Sequence, residues 1–302
     1  MTQIRKRGHR LHMFLAVAVL ALATVSCSKN DDKLPGQTGQ QGIRPVTSLS
    51  SAYVDTVFSF MPAPGQFVNT DLASINTVGE ITQNKTISLG AWGGQIVLGF
   101  DHTVINKEGN DILITGNATG TSAEPGIVWV SFDENGNGKP DDAWYELKGS
   151  AYGTPGYERG YKVTYFNPKA GNAAHDIKWE DNHGNTGYIK ANTYHTQSYY
   201  PDWITADSYT LEGSKLPDTN INMENTSLIT SKPFDYGYAD NIATSSGGDS
   251  LDISHAMDQD GQLVKLKGID FIKIQTGILK DMGWLGEQST ELSSVGDLSL
   301  LK

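Results

Sequence analysis

The chain of 302 residues has few of the features that define several common protein classes. Cys27 is its only cysteine, so no intrachain disulfide can form. Its apolar run at residues 13–23 (MFLAVAVLALA) is too short to span a bilayer as a helix. Basic residues are outnumbered, with 23 Lys and Arg against 34 Asp and Glu. This balance argues against binding nucleic acid through phosphate contacts, and we expect no nucleic-acid partner.

The N-terminus has the composition of an export signal. Four basic residues precede the apolar run, and small residues lead to the cysteine in the segment 24–27 (TVSC). This order resembles a bacterial lipoprotein signal, which implies cleavage before Cys27 and acylation of that residue. The alternative is an ordinary signal peptide with an incidental cysteine. We therefore predict a lipoprotein signal peptide over residues 1–26 and a lipid anchor at Cys27, since two or three acyl chains hold a protein stably on a membrane.

A polar spacer follows the anchor. Residues 27–50 are rich in Gly, Gln, Ser, Thr and Pro, which predicts a flexible tether. Its segment 28–32 (SKNDD) resembles the surface-export signal of Bacteroidota lipoproteins, which implies the outer membrane and the cell surface; the alternative is a solvated acidic tether. Without the leader, 19 basic and 34 acidic groups remain, a formal net charge of -15.

The rest of the chain reads as β structure. Short runs rich in β-branched and aromatic residues alternate with Gly, Asn, Asp and Pro turns, and no long window has helical periodicity. The runs are 53–60, 95–100, 111–115, 126–132, 143–147, 161–166, 207–211 and 269–276. This pattern predicts an all-β protein, a jelly-roll-like antiparallel β-sandwich. We expect a single domain over residues 51–288 and a C-terminal tail over residues 289–302.

The segment 133–142 (DENGNGKPDD) resembles a calcium loop. Asp133, Asn135 and Asn137 fall at positions 1, 3 and 5, a glycine follows at position 6, and Asp141 falls at position 9, with Asp142 beside it. Alternating oxygen side chains in a tight loop converge on one point, as a hard cation requires. The glutamate of an EF-hand is missing at position 12. The alternative is an Asn/Gly hairpin turn, which uses the same residues.

Two further groups carry oxygen side chains near predicted strand ends. Asp111 and Asn117 bracket one strand and Glu124 opens the next, so these oxygens would meet if the two strands pair. Asp249 and Asp252 lie in a third, aspartate-rich segment. Turn chemistry and solvated loops are the alternatives for both groups. We include all five residues as candidate calcium ligands.

An aromatic segment at residues 194–203 (YHTQSYYPDW) suggests a ligand site. Exposed flat rings would stack on a sugar or on a corrin ring, while a loop histidine would bind a corrinoid cobalt. The alternative is a core strand, where aromatic residues also belong. The candidate ligand-binding residues are His183, Tyr194, His195, Tyr199, Tyr200 and Trp203.

Several segments together resemble cell-surface lipoproteins of Bacteroidota, which are often fused to PKD-type modules. They are 89–100 (LGAWGGQIVLGF), 110–117 (NDILITGN), 124–131 (EPGIVWVS), 133–142, 144–147 (WYEL), 234–241 (FDYGYADN), 247–260 and 268–274 (GIDFIKI). The resemblance implies a jelly-roll-like sandwich stabilised by calcium, and it favours Asp111, Asn117 and Glu124 as ligands. Some such proteins resemble accessory proteins of corrinoid or other nutrient uptake, which implies a TonB-dependent outer-membrane transporter as a partner.

Enzyme motifs are scarce. The sequence contains no G-x-S-x-G elbow, no P-loop and no dinucleotide fingerprint. We therefore expect a non-catalytic lipoprotein with structural calcium that captures a small molecule or glycan, such as a sugar chain or a corrinoid (vitamin B12), for uptake. The alternatives are a glycan-cleaving enzyme with paired carboxylates and a structural or adhesive surface module.

Overall fold

The short β-rich runs form antiparallel strands. The computed structural model describes residues 42–74, 79–80 and 86–301, so the predicted signal peptide, Cys27 and most of the predicted spacer lie outside the described residues. The strands are β1 (Thr56–Met61), β2 (Gly79–Glu80), β3 (Ile87–Ser88), β4 (Gln95–Ile105), β5 (Ile112–Thr115), β6 (Gly126–Ser131), β7 (Trp144–Leu147), β8 (Glu158–Phe166), β9 (Ile177–Asp181), β10 (Thr186–Ile189), β11 (Ser208–Lys215), β12 (Ile221–Asn222), β13 (Thr230–Ser231), β14 (Asp249–Leu251), β15 (Ala256–Met257), β16 (Gly268–Thr276), β17 (Glu291–Leu292) and β18 (Ser294–Asp297).

Helical structure in the described part of the chain consists of three short 3-10 turns. These are Thr244–Ser246, Ile253–His255 and Gly283–Leu285. Over the same residues, no helix is long and apolar enough to cross a membrane.

The largest sheet has seven strands in the order β15-β7-β6-β16-β4-β1-β2. A three-stranded sheet, β14-β5-β18, packs against one of its faces, and the two sheets share one apolar core. A four-stranded sheet, β10-β9-β8-β11, has its own aromatic core around Trp92, Tyr161 and Tyr165. Two-stranded pairs join β12 to β13 and β17 to β3. The predicted all-β sandwich is therefore confirmed.

Burial on both faces explains why the sequence of strand β6 is continuously apolar and does not alternate. All six of its residues are buried. Val128 and Val130 contribute to the core shared with the three-stranded sheet, while Ile127 and Trp129 face a second cluster on the opposite side. A strand covered on both faces has no solvent side, and a continuous apolar run is the expected pattern.

Each of the eight predicted β runs overlaps a strand, and two further strands lie within the predicted C-terminal tail. Residues 289–302 contain β17 and β18, and β18 pairs with β5 from Ser294–Thr115 to Asp297–Ile112. The same end is tied to the large sheet by His102, which is fully buried and lies 3.0 Å from Asp297 through its Nε2 atom. The described residues, from 42 to 301, belong to one compact unit.

A buried aspartate joins three separate segments at one end of the large sheet. Asp270, fully buried in β16, accepts hydrogen bonds from Arg44 Nε at 3.0 Å, from Thr103 Oγ1 at 2.6 Å and from the backbone N–H of Asp133 at 2.8 Å. Because a buried charge is costly unless it is paired and hydrogen-bonded, these donors make the aspartate acceptable in the interior.

We expect Asp270→Asn to lower the free energy of unfolding by about 3 kcal/mol. This is the low end of the range for breaking a buried ion pair, because Arg44 remains 34% exposed and is partly solvated. Urea denaturation measures the change. The exposed Asp207, which pairs with Lys169, is the control, and Asp207→Asn should leave the midpoint unchanged. Equal midpoints for the two variants would contradict this assignment.

Candidate metal centre and aromatic groove

Three carboxyl groups from distant parts of the chain meet at one point, here called the acidic cluster. Its members are Glu124, just before β6, Asp240, in the loop between β13 and β14, and Glu291, in β17. One carboxylate oxygen from each lies within 4.8 Å of the others. Asp240 and Glu291 are buried and Glu124 is half-buried. Convergence of this kind suits either a bound cation or a shared proton.

Backbone donors hold Asp240 in a strained conformation. Its φ of 50° is in the left-handed region, which few non-glycine residues adopt. One carboxylate oxygen, Oδ1, accepts the N–H groups of Asn117 at 2.9 Å and Ala118 at 2.8 Å, and Oδ2 accepts that of Glu291 at 2.9 Å. A Cβ on Gly116 would lie 2.2 Å from Oδ1, so a side chain there would displace the carboxylate.

Glu124 and Glu291 have fewer donors than their burial demands. Glu124 Oε1 accepts hydrogen bonds from Gln288 Nε2 at 3.1 Å and from the Ser289 N–H at 3.2 Å. Glu291 Oε1 accepts one from the Ser289 hydroxyl at 2.7 Å. The second oxygen of Glu291, Oε2, is buried without a hydrogen-bond partner. An unpartnered buried carboxylate oxygen is unusual, and a bound cation, a water molecule or a proton would compensate it.

The electrostatics of the acidic cluster disfavour three bare negative charges. Burial raises the pKa of Glu124 well above its usual value, and the charge of Glu291 adds to this rise. The pKa of Asp240 is raised well above its usual value by the same two causes, although its N–H donors oppose them. Burial also raises the pKa of Glu291. Among the described residues, no Lys, Arg or His forms an ion pair with a member of the cluster.

A fourth buried carboxyl group, Glu287, belongs to the same C-terminal segment. Its Oε1 accepts the backbone N–H of Gln66 at 2.8 Å, and its Oε2 is buried without a partner. Burial raises its pKa to about 7, and the charges of Glu291 and Asp281 add to the shift.

The acidic cluster includes part of one predicted ligand group. Glu124 is a member, and Asn117 donates its backbone N–H to Asp240, while its side chain favours the ionised form of Glu291 and works to lower that residue's pKa. Asp240 and Glu291 were not predicted. Asp240 lies inside the segment 234–241 quoted for the family resemblance, whereas nothing in the sequence around Glu291 indicates its role.

The third predicted member, Asp111, lies elsewhere. Strand β5 separates it from Asn117, and six residues of extended chain span roughly 20 Å. Asp111 therefore does not meet Asn117 and Glu124, because β5 pairs with β14 and β18 rather than with β6. The buried carboxylate of Asp111 accepts N–H groups from Lys107 and Ile253 instead.

The aspartate-rich segment is organised by backbone hydrogen bonds. Asp249 accepts the N–H groups of Asn241 at 3.0 Å and Ile242 at 2.8 Å, next to the acidic cluster, and burial raises its pKa to about 7. Asp252 caps the 3-10 turn Ile253–His255 by accepting the Ser254 N–H.

The predicted calcium loop is closed by its own hydrogen bonds. Asp133 is buried and accepts the N–H groups of Asn137 at 3.0 Å and Gly138 at 2.8 Å. The amide of Asn135 donates to Asp141 and Asp142, and that of Asn137 donates to Asp141. The predicted side chains therefore converge, but a cation at this point would require the two amides to present oxygen rather than nitrogen.

The predicted aromatic ligand residues do not form one binding surface. Tyr199 and Tyr200 are buried in the core of the four-stranded sheet, as the core alternative expects, because their rings complete its apolar interior. Trp203 packs beside Phe60 against the main core. The remaining three residues are dispersed: Tyr194 is 76% exposed, His195 lies edge-on to Phe67, and His183 contacts Glu158 at 2.6 Å.

Besides a cavity of about 380 Å³ lined by Tyr200, Pro201 and Asp202, another of the same volume opens beside the four-stranded sheet. Its wall includes Trp179 of β9, Tyr161 of β8, Asp181, Asn185 and Lys215. Burial works to raise the pKa of Asp181, but hydrogen bonds from Tyr161, Asn185 and His183 outweigh it and lower that pKa to about 2. Asp181 therefore stays ionised and fixes the β9–β10 turn that shapes the cavity.

A second cavity, of about 360 Å³, lies next to the one lined by Trp179, because Pro155 and Thr219 are in the walls of both. Its far end is formed by Phe234 and Asp235. We call the two cavities together the aromatic groove. No member of the acidic cluster lines either cavity.

A comparison with models of known protein families found no match, and neither did a comparison with curated proteins.

In chelator, we expect the free energy of unfolding to fall as the pH rises from about 5 to about 8. The carboxyl group of Glu287 has a pKa near 7 in the folded state and about 4.5 in the unfolded state, so it binds its proton more tightly when folded. Its protonation therefore stabilises the fold fully below about pH 4.5, and this stabilisation is lost as the pH rises through about 7. Glu287→Gln should remove up to about 3 kcal/mol of this fall. Chemical denaturation at both pH values measures it, with the exposed Glu108→Gln as control. The same fall in the Glu287→Gln and wild-type proteins would refute the assignment.

Proposed function

We propose that this protein is a non-catalytic, lipid-anchored binding module whose β-sandwich is stabilised by a calcium ion at the acidic cluster. The buried Oε2 of Glu291, which has no hydrogen-bond partner beside two other carboxyl groups, is the observation that carries the calcium assignment. Carboxylate oxygens are among the ligands that calcium prefers, and the acidic cluster brings three carboxyl groups to one point. The ion would replace the missing positive charge.

The position of the acidic cluster supports a structural rather than a catalytic role. Its three residues connect the start of β6, the loop before β14, and β17, so one ion would join three segments. A glycoside hydrolase needs two carboxyl groups that face its substrate. The cluster lines neither cavity of the aromatic groove, and both oxygens of Asp181 are engaged in hydrogen bonds.

The binding role is supported by the aromatic groove, since concave sites with apolar walls and a few polar groups hold small ligands. A purely adhesive module would not require such a groove. Lipidation at Cys27, exposure at the cell surface of a Bacteroidota-type outer membrane and partnership with a TonB-dependent transporter belong to this proposal and rest on the sequence resemblance.

Calcium should raise the melting temperature of the chelated protein, and Glu291→Gln should remove most of that rise. A ligand at about a thousand times its dissociation constant adds about 4 kcal/mol of stability. In chelator the order should reverse, with Glu291→Gln melting above wild type because one buried negative charge is gone. Calorimetric melts with chelator, calcium and magnesium test both statements.

Two controls make the calcium experiment specific. Glu287→Gln removes a buried carboxyl outside the acidic cluster and should keep the calcium response. Asp141→Ala removes an acidic side chain from the predicted calcium loop, and it should also keep most of the response. A rise that survives Glu291→Gln but disappears with Asp141→Ala would move the calcium site to the loop, and no rise in wild type would end the proposal.

Replacing Cys27 by Ala should release the protein from the membrane fraction, because the thioether to the diacylglycerol can no longer form. Cell fractionation and metabolic labelling with a radioactive fatty acid measure this. Wild-type protein that carries no label would contradict the anchor, whereas Ser28→Ala should be labelled normally.

A further inference from the structure

The ring of Trp179 packs against a glycine beside a cavity, which makes it a candidate platform for stacking a ligand. Trp179 in β9 lies directly opposite Gly187 in β10. A Cβ on Gly187 would lie 2.4 Å from Cζ2 of the indole, so the ring lies directly against the glycine backbone. Trp179 also lines the first cavity of the groove and is only partly buried. Because Gly187 has no side chain, the flat indole ring of Trp179 can lie against its backbone and is held beside the cavity.

The polar groups of the groove are suited to hydroxyl groups rather than to charges. Lys215 Nζ lies 4.0 Å above the ring of Tyr161 and 3.7 Å from Glu158, and Lys280 pairs with Asp218 at 2.7 Å. These cations are therefore already compensated. The Asn185 amide nitrogen donates to Asp181, which leaves its amide oxygen and the exposed Thr219 hydroxyl as hydrogen-bonding groups in the wall.

We infer that the aromatic groove binds a neutral glycan chain, with one sugar ring stacked on Trp179 and the chain passing Thr219 towards Phe234. This inference rests on the proposed binding role and deepens it by naming the ligand class. The apolar C–H face of a sugar ring packs on an aromatic plane, and its hydroxyl groups bond to amide and hydroxyl side chains.

Size and charge separate this ligand from the other candidates. Cavities of about 380 and 360 Å³ are at the lower end of the range for small-molecule sites, which suits one or two sugar rings each, and a corrinoid with its side chains is much larger. The net charge of -15 without the leader disfavours a polyanionic glycan. Two adjoining cavities that share Pro155 and Thr219 fit a chain better than a single compact molecule.

Titration of the full protein with neutral oligosaccharides of increasing length, in calcium, tests the inference by calorimetry. Affinity should rise with length until both cavities are filled. Trp179→Ala should weaken binding at least about tenfold, because the stacking surface is lost. Tyr188→Ala is the matched control and should change affinity less than about twofold. Tyr188 neighbours Gly187 in β10 but is 49% exposed on the opposite face of the sheet.

A second variant covers the case in which Trp179→Ala fails to fold. Asp235→Trp places a bulky ring at the far end of the second cavity, at an exposed position outside the wall of the first, so it should weaken binding of long oligosaccharides while leaving short ones, which fill only the first cavity, unaffected. Equal losses for short and long chains would overturn the two-cavity path.

The remaining outcomes are equally decisive. Uronic-acid oligosaccharides or cobalamin that bind in the groove, with loss in Trp179→Ala, would overturn the neutral-glycan assignment. Failure of every neutral glycan to bind would also overturn the neutral-glycan assignment. If the calcium response is intact in that case, the structural calcium proposal stands. Loss of both responses would end both proposals.

Discussion

Buried carboxylates that accept backbone N–H groups hold the loops of this sandwich in place. Asp270 fixes the start of the 133–142 loop, Asp249 fixes the loop before β14, and Asp240 joins two loops to β17. A hydrogen bond to a charged group contributes about 1.5–3 kcal/mol, more than a neutral one. With Cys27 as its only cysteine, the chain has no intrachain disulfide, and these contacts supply cross-links between segments far apart in sequence.

The acidic cluster contains more carboxylate oxygens than there are backbone N–H groups to donate hydrogen bonds to them. Asp240 alone receives three backbone N–H groups, which compensate its charge in part, although burial and Glu291 still raise its pKa. Glu124 and Glu291 add two more carboxyl groups with fewer donors, and desolvation then opposes their ionisation. A neutral pair would only relieve the repulsion, whereas a cation would also bind the three segments together.

The strands were predictable, but the cluster was not. Local alternation and turn residues identify β4, β8 and β16, because period and turn chemistry act over a few residues. The contact between Asn117 and Asp240 joins residues 123 positions apart, and no spacing rule reaches that far. The same limit explains Asp111, whose partners depended on which strands pair.

Aromatic side chains were the least readable feature. Tyr199 and Tyr200 of the predicted ligand segment 194–203 are core residues, while Tyr194 in the same segment is 76% exposed. Trp179, which defines the groove, carries no motif at all. Its role depends on the register that places it opposite Gly187, and register is a property of paired strands rather than of one.

The pairing of β5 with β18 has a consequence for the order of folding. Strand β5 forms the middle of its sheet, yet one of its two neighbours consists of residues near 297, and the His102–Asp297 contact spans 195 positions. A chain synthesised from its N-terminus therefore keeps one hydrogen-bonding edge of β5 unpaired until nearly all of it has emerged. Such late pairing slows folding, since distant segments must meet, and it leaves an open strand edge until the last strand arrives.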